Sequence, residues 1–136
     1  MKNWLAPIVA LFFISVLPAF AETTGNDVLE RCQTALHLYD NNTATGGEHM
    51  DAGWCSGWVG GTLELSMLHN EWTGFVKEKP TILHFCVPGS GVPVIQGIRV
   101  VVKYLKEHPE QLHQDGMGLT VAALKDAFPC KESGRK

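Results

Sequence analysis

An all-α fold, a small disulfide-stapled bundle of about four helices behind a cleaved signal peptide, follows from three features of the 136-residue sequence. Apolar residues recur at helical spacing, most clearly at Val94, Ile98, Val101, Val102 and Leu105, with Gln96, Arg99, Lys103 and Lys106 on the other side. Four cysteines, an even count, all lie beyond a short apolar leader. Two of them bracket a helical hairpin, in Phe85-Cys86-Val87-Pro88 and in Phe128-Pro129-Cys130.

Lys2, the apolar run Trp4 to Val16 and the pattern Ala19-Phe20-Ala21 form a secretory signal peptide over residues 1–21, with cleavage expected after Ala21. A membrane anchor fits less well, because Pro7 and Pro18 frame an apolar run shorter than the ~20 residues a span needs. No cysteine follows Ala21, which argues against a lipoprotein, and no membrane anchor is expected after signal cleavage. Residues 22–136 then make a single domain, long enough for a core yet near the size at which secreted proteins add staples. Loss of Lys2 takes the formal charge from −3 to −4. That mild acidity argues against nucleic acid as a partner.

In an exported chain an even set of cysteines favours disulfides over free thiols, and no Cys-x-x-Cys suggests a redox site or a zinc knuckle. If the hairpin helices run antiparallel over a short turn, Cys86 before the first lies close to Cys130 after the second. Of the three pairings open to four cysteines, Cys32–Cys55 with Cys86–Cys130 is favoured. Each bond would contribute about 2–4 kcal/mol.

The first helix is expected from about Asp27 to Tyr39, capped by Asn26 or Thr24, with Val28, Cys32, Ala35, Leu36 and Tyr39 facing inward. Asn41 to Met50 reads as a polar loop. Its likeness to a calcium loop fails, since Ala44 stands at a ligand position and Thr45 where glycine is required. A second helix is expected from about Asp51 to Leu68, with Gly53, Gly57, Gly60 and Gly61 gathered on one side. Such a stripe lets another backbone approach, at a cost in helix propensity. A tight intrachain helix contact is its first explanation and a homodimer seam its second. Trp54, Trp58, Val59, Leu63 and Met67 surround the glycines, so this helix is apolar over most of its circumference and belongs at the centre of the fold.

Asn70 to His84 has no clean period, mixes Trp72, Phe75 and Ile82 with Glu71, Lys77, Glu78 and Lys79, and reads as an irregular surface segment. Pro93 suits the first turn of a third helix, where its missing N–H has no partner to lose. His108-Pro109 ends that helix and opens the fourth, with His108 as a weak cap. Thr120, Ala123, Leu124, Ala127 and Phe128 supply the last apolar stripe, with Gly116 and Gly118 delaying or kinking its helix.

Catalysis finds little support in these residues. The sequence has no Gly-x-Ser-x-Gly elbow, no His-Glu-x-x-His and no phosphate loop. His84 lies two residues from Cys86, and His108 and His113 are five apart, spacings that put no two ligands on one helical face. A general base at His84 or His108 has no nucleophile or carboxylate placed beside it by sequence. Neither a catalytic residue nor a metal or other cofactor is expected. Partner contacts are expected in the irregular stretches, at Glu48 and His49 in the first and at Trp72, Phe75, Lys77 and Lys79 in the second. Interface hot spots favour tryptophan, although Trp72 has a competing role in pinning its loop to the core.

Phe85-Cys86-Val87-Pro88, Gly91-Val92, Gln96, Val100-Val101-Val102-Lys103-Tyr104-Leu105, His108-Pro109-Glu110 and Ala127-Phe128-Pro129-Cys130 together resemble the Rap/Tai immunity family. Cys32 in the first helix and Gly53-Trp54-Cys55-Ser56-Gly57-Trp58-Val59-Gly60-Gly61 in the second extend the likeness over most of the mature chain. Pro93 replaces a frequent capping threonine and Gly116-Met117-Gly118 interrupts a usually smoother helix, without touching the cysteines. The resemblance implies a periplasmic immunity protein that binds and blocks a type VI secretion effector, typically a peptidoglycan amidase. The mechanism it implies is occlusion of the substrate groove by a protruding loop or helix, often from a homodimer. An inhibitor of that kind needs a tight interface and no catalytic residue; a nanomolar complex corresponds to about −12 kcal/mol. The alternative is a stand-alone periplasmic binding or acid-stress chaperone-like protein on the same scaffold.

Overall fold

A computed structural model describes residues 22–43, 45–73 and 85–130, with backbone only for 70–73. The expected leader therefore lies outside the described residues, as do Phe75, Lys77, Lys79 and the side chain of Trp72. Among the described residues there are four α-helices and no strand: α1 (Gly25–Asn41), α2 (Gly46–Thr73), α3 (Val94–Glu107) and α4 (Gly116–Ala127). A single 3₁₀ turn, Pro109–Gln111, links α3 to α4.

Helix α1 starts at Gly25 because Thr24 and Asp27 form a capping box. The Thr24 backbone N–H donates to Asp27 Oδ2 at 2.8 Å, and the Asp27 N–H points back at Thr24 Oγ1 at 3.4 Å. Its inward face is Gly25, Val28, Cys32 and Ala35. The expected inward face does not extend to Tyr39, which is 64% exposed in the last turn of α1 before Asn42, in the left-handed conformation, ends it. Leu36 is half-buried.

The polar loop expected over Asn41 to Met50 shrinks to a few residues, since α2 begins at Gly46. A second capping box sets that start. The backbone N–H and the hydroxyl of Thr45 donate to Glu48 Oε2 at 2.7 and 2.8 Å. Thr-Gly-Gly-Glu is a helix-start signal that its two glycines mask.

Helix α2 runs to Thr73, beyond the expected Leu68, and it is not central. Helices α1 and α3 each pack against the other three, whereas α2 rests chiefly on those two. Its core side is Ala52, Cys55, Val59, Thr62, Leu63 and Ser66. The intrachain contact expected of the glycine stripe is confined to Gly60, where an added Cβ would lie 3.3 Å from Val94 Cγ2. The same atom on Gly53, Gly57 or Gly61 would meet open space. Met67, expected beside the core, is 40% exposed.

The two disulfides are Cys32–Cys55, joining α1 to α2, and Cys86–Cys130, closing the hairpin of α3 and α4. This is the pairing favoured from the sequence. The hairpin is also pinned by Cys86 N–H donating to Phe128 O at 2.9 Å and by Ser66 Oγ donating to the carbonyl of fully buried Phe85 at 2.9 Å. Helix α3 buries Ile98, Val101, Val102 and Leu105 as its periodicity dictates. Full burial of an aliphatic side chain of this kind stabilises by about 1.5–3 kcal/mol.

The fourth helix begins at Gly116, not at Pro109. Its cap is Asp115, whose carboxylate accepts from Gly118 N–H at 2.6 Å and Met117 N–H at 3.3 Å. Gly116-Met117-Gly118 is thus the first turn of α4 and kinks nothing. Gly116 is needed for a close approach: a Cβ there would lie 2.8 Å from Val28 Cγ2 and 2.9 Å from the carbonyl oxygens of Thr23 and Thr24. Thr120, Ala123 and Leu124 are buried as expected, Phe128 is half-buried, and Ala127 faces solvent because the helix ends there.

Around this point the two ends of the domain are stitched together. Gly116 N–H donates to Thr23 O at 2.8 Å, Gly25 N–H to Gln114 O at 3.0 Å and Asn26 N–H to Leu112 O at 3.0 Å. Thr24 and Asp115 form an isolated antiparallel bridge.

Candidate functional site

Helix α2 carries two apolar stripes on opposite sides. One is the core side given above. The other is Met50, Trp54, Trp58, Gly61, Leu65 and Leu68, spaced by three or four residues and therefore aligned on one face over about 27 Å. Met50 is 78% exposed, Leu65 52% and Leu68 62%, while the two tryptophans are half-buried.

The tryptophans form a fixed platform in the middle of this outer stripe. Trp54 stacks on Trp58 with ring centroids 4.8 Å apart, and the Arg31 guanidinium lies 4.6 Å from the Trp54 ring. Arg31 is held in turn by Asp51 at 3.6 Å. Trp58 donates its indole N–H to Thr120 Oγ1. Met117, 38% exposed, lies beside the platform, its sulfur 3.7 Å from Thr62 Oγ1. Stacking in both directions restricts the rings, so contact with them costs little side-chain entropy.

Two open grooves flank α1. A cavity of about 370 Å³ between α1, α2 and α3 is lined by Ala35, Leu38, Tyr39, Ser56, Val94 and Ile95 among others. A wider one of about 630 Å³ runs along the outer side of α1 past Glu30, Gln33, Thr34 and His37 to Glu48.

Of the partner residues expected from sequence, Glu48 lies at the edge of that wider groove, but its carboxylate is engaged in capping α2. The backbone N–H of Thr45, then its hydroxyl, hold the Glu48 carboxyl below its ordinary pKa. His49 is exposed in the first turn of the helix. The other expected contacts, the Trp72 side chain, Phe75, Lys77 and Lys79, lie outside the described residues. His108, expected to cap the following turn, instead bonds backward: its Nδ1 is 2.8 Å from Tyr104 O and its ring stacks on Tyr104. Among the described residues no three of His, Cys, Asp and Glu are grouped as a metal site would need.

The outer stripe was missed in the sequence because an all-round apolar helix is ordinarily taken as buried. Its signal was present all the same: two helical-period stripes on different sides of one helix, with three other α-helices among the described residues to cover them.

Fold and surface together define a small, disulfide-stapled helical domain with one apolar helix face turned to solvent. Residues 24–130 match the family of Rap1a immunity proteins, and the chain belongs to that family. Membership makes it an immunity protein, a class that works by binding a secreted effector. No curated protein and no solved structure matches the chain significantly. Among the described residues no helix is long and apolar enough to cross a membrane.

Proposed function

We propose that the chain is exported to the periplasm by a signal peptide cleaved after Ala21, and that residues 22–136 there bind and occlude a type VI secretion effector. A peptidoglycan amidase is the proposed target, and the outcome is protection of the producing cell. The single observation that carries this reading is the family match over nearly the whole folded domain. The paired disulfides are in keeping with an oxidising compartment. Occlusion requires a rigid frame and a contact surface; the disulfide-stapled helices offer the first and the tryptophan platform of α2 the second. Glu48, His49, Trp72, Phe75, Lys77 and Lys79 are the proposed partner contacts, and a homodimer is the proposed assembly. The inhibitor needs no cofactor, metal or catalytic residue for this task.

The test is to export the tagged full-length chain in cells that make their effectors, recover it from the periplasm, and identify any stoichiometric partner by mass spectrometry. A cell-wall hydrolase whose activity falls as the complex forms is the expected result. Recovery of the chain alone, or with a scatter of unfolded proteins, overturns it.

A second reading, an acid-stress chaperone-like protein, has one observation in its favour. Two helix starts depend on ionised carboxylates, Asp27 and Glu48, so acid loosens α1 and α2 beside an apolar surface. Suppression of client aggregation at low pH, with no hydrolase bound at neutral pH, would favour it over immunity.

A further inference from the structure

We propose that the outer stripe of α2, centred on the Trp54–Trp58 platform and extended by Leu65 and Leu68, is the surface on which the effector docks, and that it receives an apolar patch rimmed by lysine and arginine. The proposal stands on the immunity function above and assigns it to a face that lies outside the loops.

The chemistry of the stripe is that of an interface centre. It joins two rigid tryptophans, an arginine and a methionine, the side chains enriched at interface cores, to exposed leucines. From Ala52 to Leu63 the helix itself carries no charge, so over three turns the charge beside this face is that of Arg31 on the Trp54 ring. Gly57 and Gly61 beside the tryptophans leave open space where a Cβ would stand, which admits a partner close to the α2 backbone.

Charge selects among possible occupants. Every charged residue between Gly46 and Thr73 is acidic, and Arg31 on the neighbouring helix pairs with Asp51 among them. Laying α2 of a second copy on this face would bring acidic rim against acidic rim. An anionic membrane surface meets the same repulsion. A protein surface with a basic rim gains on both counts: apolar contact along the stripe and attraction to Glu64 at its edge.

The test uses the full-length exported chain, with the hydrolase it inhibits as the probe. Leu65→Arg and Leu68→Arg change side chains that are mostly in solvent, so unchanged thermal stability is the check on folding. Each is expected to weaken hydrolase binding by at least ~30-fold, the threshold of an interface hot spot. Glu64→Lys is expected to slow association and to reduce its dependence on salt, with little effect on dissociation. If the wild-type chain inhibits a hydrolase and the arginine variants bind it equally well, the docking face is wrong and the immunity function stands. If the wild-type chain inhibits no hydrolase, both fall. Dissociation of a wild-type dimer by Leu65→Arg, or cosedimentation of the wild-type chain with phosphatidylglycerol vesicles, would give the stripe to a second copy or to lipid and overturn the proposal.

Discussion

Trp58 donates its indole N–H to Thr120 Oγ1 at 3.0 Å, and the hydroxyl of Thr120, fully buried, donates in turn to Gly116 O at 2.7 Å. This relay ties the solvent-facing platform of α2 to the first turn of α4. Thr120→Val keeps the shape and removes the acceptor, so it is expected to cost about 1–2 kcal/mol. Urea unfolding followed by tryptophan fluorescence reads both the lost stability and the freer indole. A double-mutant cycle with Trp58→Phe should return a coupling near 1 kcal/mol, on the order of one hydrogen bond.

The two disulfides should differ in a way that loop length alone does not predict. They span 23 residues for Cys32–Cys55 and 44 for Cys86–Cys130, which chain entropy values at about 3.4 and 4 kcal/mol. Cys32 and Cys55 are fully buried, however, while Cys86 is exposed. Cys32→Ala with Cys55→Ala therefore adds a packing defect on the order of 1 kcal/mol or more, and is expected to be the costlier pair despite the shorter loop. Denaturant midpoints of the two double variants decide the order. Mild reductant should open Cys86–Cys130 first, as read by thiol alkylation and mass spectrometry.

Two glycines on different helices should respond to alanine with opposite signs. Gly116→Ala drives a methyl into Val28 and two backbone carbonyls, with an expected loss of about 1–3 kcal/mol. Gly53→Ala meets nothing and removes a helix-breaking residue from the interior of α2, for an expected gain of about 0.5–1 kcal/mol. Thermal melts of the two variants suffice.

Acid should release both capping boxes. The hydroxyl and then the backbone N–H of Thr24 hold the Asp27 carboxyl below its ordinary value, as Thr45 does for Glu48. A lowered folded pKa contributes stability that is complete above the ordinary carboxylate range, about pH 4, and is lost as pH falls through the folded value. The melting temperature of the wild-type chain should thus decline below about pH 4. Asp27→Asn and Glu48→Gln should each shrink that decline, starting from a lower stability at neutral pH. Both groups are exposed, so screening by salt makes the effect modest.

The sequence exposed whatever depended on one uninterrupted period. Ile98 to Leu105 sits on a helix with water on one side and core on the other, so its face was readable; Val94, expected on the same face a turn earlier, is 39% exposed. The cysteine pairing was readable because the hairpin geometry brings Cys86 to Cys130. Tyr39 was misjudged because helical period says which face a residue is on and not where the neighbouring helices stop. Helix α2 was misjudged twice. Its start hid behind Gly46 and Gly47, whose poor propensity conceals the Thr45–Glu48 box. Its two apolar stripes do not announce which one the protein itself covers; that depends on how many helices remain to lie against it. The partner surface is the least legible part, since family features that match are cysteines, glycines and core positions, which carry the frame and not the face.

The stitch between Thr23–Asn26 and Leu112–Gly116 joins residues that a ribosome, or a channel threading the chain from its beginning, delivers almost a whole domain apart. Helix α1 has its cap within four residues, but the N–H groups of Gly25 and Asn26 find no backbone acceptor until Leu112 and Gln114 arrive. The start of α1 is therefore completed only by residues far along the chain, and a chain truncated before Leu112 leaves the first turn of α1 without its acceptors.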